Sequence, residues 1–124
     1  MLQLDNVSKS YDKGVSWAVR DLTLHIPRGE IFGFLGPNGA GKTTTLKMIV
    51  GLLSPDKGTI TVNGFDTKLE LLQAKRCIGF LPDNPNIYER LTGLEYIRFM
   101  ADVFDVPEKE RLERSERLLH IFEM

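Results

Sequence analysis

A single cysteine, Cys77, is the only thiol in 124 residues, so no internal disulfide can staple the fold. No stretch approaches the roughly 18 uninterrupted apolar residues of a membrane span. The opening MLQLDNVSKSYDKG has neither the basic start nor the apolar centre of a secretory leader. Together these absences point to a cytoplasmic protein that reaches a membrane only through a partner. Excess charge is missing as well. Sixteen basic residues against seventeen acidic ones leave a net charge of -1, so nucleic acid is not an expected partner and any phosphate recognition must be local. There is no internal repeat, low-complexity tract or Ser/Gly linker, hence no reason in the sequence to split the chain. A hydrophobic share of 42% is ordinary for a globular domain with one core.

Apolar and polar residues alternate in LQLDNVSKSY at Leu2, Leu4 and, less cleanly, Val7, and DKG marks a turn before WAVRDLTLHI. Antiparallel N-terminal strands are the expectation. After Pro27, PRGE leads into IFGFLG, a short apolar run of the kind that forms a strand buried on both faces. From Lys42, the spacing of Leu46, Ile49, Val50 and Leu53 predicts a helix of about ten residues, stopped by SPDKG. TITVNG reads as a strand and turn, LELLQAKR as a short helix, and CIGFLP as a second buried strand halted by Pro82, with Cys77 packed as a small apolar residue. LPDNPNIYERLTG is too rich in Pro and Asn for regular structure, and it ends on Thr92 and Glu95, a T-x-x-E capping box. Leu94, Ile97, Ala101 and Phe104 share one face of the helix that follows. Pro107 opens a last helix carrying Leu112, Leu119 and Phe122, and the chain is expected to stop inside it.

GPNGAGKT, residues 36–43, satisfies G-x-x-x-x-G-K-[ST] between an expected strand and an expected helix, the context this phosphate-loop motif requires. Glycines at 36, 39 and 41 let several N–H groups converge on phosphate oxygens with no side chain in the way. The helix starting near Lys42 adds the positive end of its dipole, and the Lys42 ammonium can reach the β- and γ-phosphates. Thr43 offers a hydroxyl to Mg²⁺, an ion that keeps several waters and needs few protein ligands beside the phosphates.

LGPNGAGKTTTLKMIVGLLSPDKGTITVNG resembles the Walker A region of the ATP-binding cassette (ABC) ATPases, and the likeness extends over essentially the whole chain. The resemblance implies an α/β P-loop NTPase fold, with antiparallel N-terminal strands beside part of a RecA-like sheet with helices. Residues 1–124 would form the N-terminal part of one ABC-type nucleotide-binding domain. It implies that ATP and Mg²⁺ are held by Gly36, Pro37, Asn38, Gly39, Ala40, Gly41, Lys42, Thr43 and Thr44, with Lys42 as the catalytic charge and Thr43 on the metal. Tyr11 would be the aromatic that stacks on adenine, and a planar ring upstream of the loop can do so at little entropic cost. Val19 would complete the adenine pocket and Trp17 is a further candidate. Plain core packing serves equally for both. Asp83 stands where the family has a glutamine that reaches Mg²⁺ and the attacking water. It is a hard oxygen ligand but a shorter, charged one, suited to contact through water, and a turn role between Pro82 and Asn84 is the alternative. His25, His120 and the run EKERLERSERLL are expected to be structural or solvated.

IGFLPDNPNIYERLTGLEYI is most similar to ATPases of export-type multidrug systems. That implies a second nucleotide-binding subunit, as homodimer or heterodimer, and a separate transmembrane permease that keeps the protein peripheral on the inner face of the cell membrane. A soluble ABC ATPase of DNA repair or ribosomes is the alternative. Hydrolysis in the family further needs a Walker B segment, an LSGGQ signature and a switch histidine, and the sequence shows none of them. The chain therefore resembles a domain truncated before signature and Walker B, expected to bind ATP without hydrolysing it. Leaving IFGFLG without a neighbouring strand, it is also expected to self-associate or swap strands.

Overall fold

The computed structural model describes residues 1–83 and 90–123. The chain forms two compact units, Met1–Phe80 and Leu81–Met124. In the first, β1 (Leu2–Lys9), β2 (Val19–Ile26), β3 (Lys57–Val62) and β4 (Phe65–Asp66) make an antiparallel sheet in the order β2-β1-β3-β4. Leu4 sits opposite Leu24 on one side and Ile60 on the other. The imperfect alternation in β1 has a structural cause. A three-residue step would place Val7 on the opposite face from Leu4, but the register shifts between them, and Asn6 takes a φ of 50° with its N–H donating to Thr23 Oγ1 at 3.1 Å. The bulge returns Val7 to the core side. Leu4, Val7, Val19, Met48 and Ile60 make that core, with Leu2, Leu22, Leu24, Ile49 and Leu53 packed against it. Between β3 and β4, Asn63 and Gly64 both have positive φ, the two-residue turn whose twist matches the flanking strands.

Helix α1 (Lys42–Ile49) is eight residues long and buries Thr45 and Met48. Leu46, expected on the buried face, is exposed and borders an apolar hollow with Leu24, Phe32 and Phe34. Helix α2 (Leu71–Arg76) forms where LELLQAKR predicts it and buries Ala74. Two expectations fail. Residues 31–36 are not a buried strand: they carry no ladder hydrogen bonds, and Ile31 and Leu35 are 104% and 93% exposed. Residues 77–82 likewise pair with nothing among the described residues, and Phe80 and Leu81 are exposed. The physical reason is common to both. Apolar residues make a strand only when a neighbouring backbone accepts and donates along it, and among the described residues no strand pairs with either segment. Cys77 is exposed rather than packed, with Asn63 Nδ2 at 3.7 Å from its sulfur.

In the second unit, Thr92 caps α3 (Gly93–Val103) in the anticipated capping box: Glu95 N–H donates to Thr92 Oγ1 at 3.4 Å and Thr92 N–H donates to Glu95 Oε2 at 2.8 Å. The Thr92 N–H and the Thr92 hydroxyl, which donates to the same Oε2 at 2.7 Å, hold the Glu95 carboxyl below the usual carboxylate range. Pro107 is the N-cap of α4 (Glu108–Ile121), which ends at Ile121 with Phe122 as C-cap instead of running to the last residue. Arg111 ties the turn, donating to the Val106 carbonyl and pairing with Asp102. Neither helix buries a residue, so Leu94, Ile97, Phe104 and Leu112 lie on faces that are apolar but exposed. The expected irregular segment at 84–89, including Asn84, lies outside the described residues. None of the helices is long and apolar enough to cross a membrane among the described residues.

Candidate phosphate-binding site

Residues 36–41 carry the chain from the extended segment into α1. Pro37 to Ala40 close a turn through the Ala40 N–H and the Pro37 carbonyl at 3.3 Å. Gly39 and Gly41 both have a φ of +83°, left-handed backbone that other residues enter at a cost. At Gly41 the constraint is doubled. A Cβ there would lie 2.3 Å from the Ala18 carbonyl oxygen and 3.1 Å from Val19 Cγ2, whereas one at Gly39 would meet nothing within 4 Å. Gly41 therefore lets the loop lie flat against the entry to β2, while the space where a Gly39 side chain would stand is open.

Gly41 is also the N-cap of α1 and supplies no side-chain cap, and no acidic residue lies in the first turn. The first N–H groups of the helix are left for an anion, at the positive end of its dipole. The first helical bond closes inside the chain, where the Gly41 carbonyl accepts from the N–H of Thr45 at 2.9 Å and from its Oγ1 at 3.0 Å. Lys42 folds back over the loop, its Nζ donating to the carbonyls of Gly36 at 2.5 Å and Pro37 at 2.7 Å. These carbonyls hold the ammonium on the loop, within reach of any phosphate the loop takes. Thr43 is exposed, so its hydroxyl is free to face a ligand. This donor set fits a polyphosphate with a hard cation: one lysine charge, one hydroxyl, an uncapped helix start and no carboxylate in its first turn.

Tyr11 is brought to this site from far away in sequence. Its ring is 66% exposed, and its hydroxyl lies 3.3 Å from Thr44 Oγ1 on the first turn of α1. Val19 is in the core, its methyl under Gly41. Trp17 is half-buried with the Lys57 ammonium 5.2 Å from its ring centre, a cation–π pair that occupies its face. Asp83 is exposed and belongs to the second unit. His25 and His120 are exposed on β2 and α4. Among the described residues no three His, Cys, Asp or Glu side chains gather as a metal cluster.

One constellation is absent from the sequence reading. Ser10, Asp12 and Ser16 tie the Tyr11 loop to itself. Asp12 Oδ1 accepts from Ser10 Oγ at 2.8 Å and from Ser16 N–H at 2.7 Å, and Asp12 Oδ2 accepts from Ser16 Oγ at 2.5 Å. Those bonds, Ser16 first, draw the Asp12 carboxyl down to about 2. At the stem, Asp56 accepts from Ser10 N–H and Lys9 Nζ, both at 2.8 Å, which lowers its carboxyl too. The available signal was S-x-D-x-x-x-S, short polar side chains spaced to bond the backbone of a turn.

The family described as ABC transporter matches residues 19–124. The ABC transporter ATP-binding protein NatA of Bacillus subtilis (strain 168) is 40% identical over 127 aligned residues, covering 100% of this chain and 52% of NatA. A solved ATP-binding subunit of an ABC transporter superposes with a TM-score of 0.88 at 33% identity, covering 97% of this chain and 49% of that one. The dimeric ATP-binding cassette MJ0796, bound to ADP and Pi in a post-hydrolysis state, superposes with a TM-score of 0.81 at 30% identity, covering 100% and 58%. The chain spans between 38% and 52% of the length of the first curated relatives it matches.

Proposed function

This chain belongs to the ABC transporter family, and from that premise we propose that it carries the ATP·Mg²⁺-binding part of a transporter's ATP-binding subunit. The observation that carries the reading is the loop at 36–43. Its glycines leave the backbone bare, it opens an uncapped helix, and Lys42 is held directly over it. In the proposed site the N–H groups of Gly39, Gly41, Lys42 and Thr43 cradle the β-phosphate, Lys42 offsets the γ-phosphate charge, and Tyr11 stacks on adenine. Mg²⁺, when bound, would neutralise phosphate charge, and Thr43 would hold it.

In the whole protein the same residues would serve hydrolysis. Lys42 would stabilise charge developing on the γ-phosphate during in-line attack by water. A chain of these 124 residues binds nucleotide but does not turn it over in this reading, because it holds no Asp-Glu pair after an apolar strand to orient that water. The family's transport role supports a second nucleotide-binding subunit and a membrane permease as partners, cytoplasmic placement against the membrane, and export as the direction suggested by the likeness of residues 78–97. Relatives named for transport or export, such as NatA and the lipopolysaccharide export protein LptB, favour this over a repair or ribosomal role.

Titration of Mg·ATP into the chain and its Lys42→Ala variant tests the site. Loss of a charge-assisted contact should weaken binding by about 2 kcal/mol. An unchanged dissociation constant contradicts the assignment, and phosphate release above background from the purified 124 residues contradicts the division between binding and turnover.

A further inference from the structure

A residue that stacks on a base is useful in proportion to how little order it must gain on binding, and the loop around Tyr11 is tied by hydrogen bonds of its own. Tyr11 lies between two tied residues. Ser10 is buried, with its N–H on Asp56 and its Oγ accepting from Gly14 N–H at 2.7 Å and Asp12 N–H at 3.2 Å. Asp12 receives Ser10 Oγ and both donors of Ser16. The same loop runs through two consecutive left-handed residues, Lys13 at a φ of 56° and Gly14 at 97°, a conformation that needs such ties to persist. Beyond it, Ala18 N–H returns to the Lys9 carbonyl at 2.9 Å, closing residues 10–17 into a compact turn. The Tyr11 ring stands exposed, with its hydroxyl 3.3 Å from Thr44 Oγ1.

We propose that Asp12, acting with Ser10 and Ser16, is a positioning residue for nucleobase recognition: it fixes the 10–17 loop so that the exposed Tyr11 ring stands beside the phosphate loop ready to stack. The inference rests on the ATP-binding reading and extends it to residues that touch no nucleotide. Asp12 spans the loop in the way a disulfide or metal would, with both carboxylate oxygens engaged. Its removal frees the backbone on either side of Tyr11, so the ordering cost returns at the moment of binding. That cost falls on the base and not on the phosphates, because the phosphate loop has its own anchor in Gly41 and β2.

Fluorescence of Trp17, the only tryptophan, sits at the end of this loop and reports binding of Mg·ATP and of inorganic tripolyphosphate to the same chain. Asp12→Ala is expected to weaken ATP roughly three- to tenfold, the loss expected for re-ordering one or two side chains. It should leave tripolyphosphate within about twofold and add little further loss in a Tyr11→Ala background, as coupled neighbours do. Ser16→Ala, which removes one hydroxyl and keeps the charge, should show the same pattern at smaller size, and it serves if Asp12→Ala does not fold. Equal losses for ATP and tripolyphosphate, wild-type ATP affinity in both variants, or full additivity with Tyr11→Ala would each overturn the inference while leaving the ATP site standing. A wild-type chain that binds neither ligand, or a Lys42→Ala variant that binds both normally, would instead remove the reading beneath it.

Discussion

Gly39 and Gly41 share a φ of +83° and stand two residues apart, yet alanine at the two sites should have different consequences. Either substitution forces a Cβ into left-handed backbone, which costs roughly 1–2 kcal/mol. At Gly39 nothing lies within 4 Å of the new methyl, so that cost is the whole effect on stability. At Gly41 the methyl would sit 2.3 Å from the Ala18 carbonyl oxygen, a backbone atom that cannot rotate away, and 3.1 Å from a core methyl of Val19. Relief requires moving the entry to β2 or lifting the loop, an overpacking cost of about 1–3 kcal/mol on top. Gly41→Ala should therefore lose on the order of 2–5 kcal/mol against 1–2 for Gly39→Ala. Urea denaturation without nucleotide, followed by Trp17 fluorescence, separates the two because Trp17 adjoins Ala18. Equal midpoints would refute the claim that Gly41 holds the phosphate loop against the sheet.

Two further expectations follow from charge and exposure. Asp12, Asp56 and Glu95 are all held below the ordinary carboxylate value, so each stabilises the fold above its unfolded value and loses that contribution in acid; for Asp12, drawn to about 2 from 3.8, the loss sets in as the pH falls past 3.8 and is complete below about 2. Amide exchange in residues 10–17 should stay slow at pH 5 and quicken only below pH 4, once corrected for intrinsic rates. Loosening of that loop between pH 7 and 5 would show that Asp12 is not its tie. The exposed apolar segment with Ile31 and Leu35 should make the 124-residue chain associate as its concentration rises. Sedimentation velocity should show this and its reduction by Ile31→Lys with Leu35→Lys, whereas a monodisperse monomer at all concentrations would contradict it.

The features visible in the sequence are those whose physics is local. GPNGAGKT has Gly39 and Gly41 where the backbone turns left-handed, Thr92 and Glu95 cap each other, and Asn63-Gly64 makes the tight turn, because each depends on residues a few positions apart. The failures depend on distant partners. IFGFLG and CIGFLP have the composition of buried strands, yet a strand exists only with a neighbour, and composition does not supply one. Leu46 was misplaced for the same reason, since the segment that would cover it does not pair. Val7 was ambiguous because one left-handed residue, Asn6, shifts the phase of the strand. The ties around Tyr11 went unread because Ser and Asp in a loop look like solvated polar residues until their bonds are seen.

The central claim is that residues 36–44 hold the phosphates of ATP. Backbone amide chemical shifts recorded while Mg·ATP is titrated into the ¹⁵N-labelled chain address it residue by residue. The account predicts the largest changes at Gly39, Gly41, Lys42 and Thr43, with a smaller set around Tyr11 and Thr44. Changes confined to other parts of the chain, or none at saturating nucleotide, would contradict it.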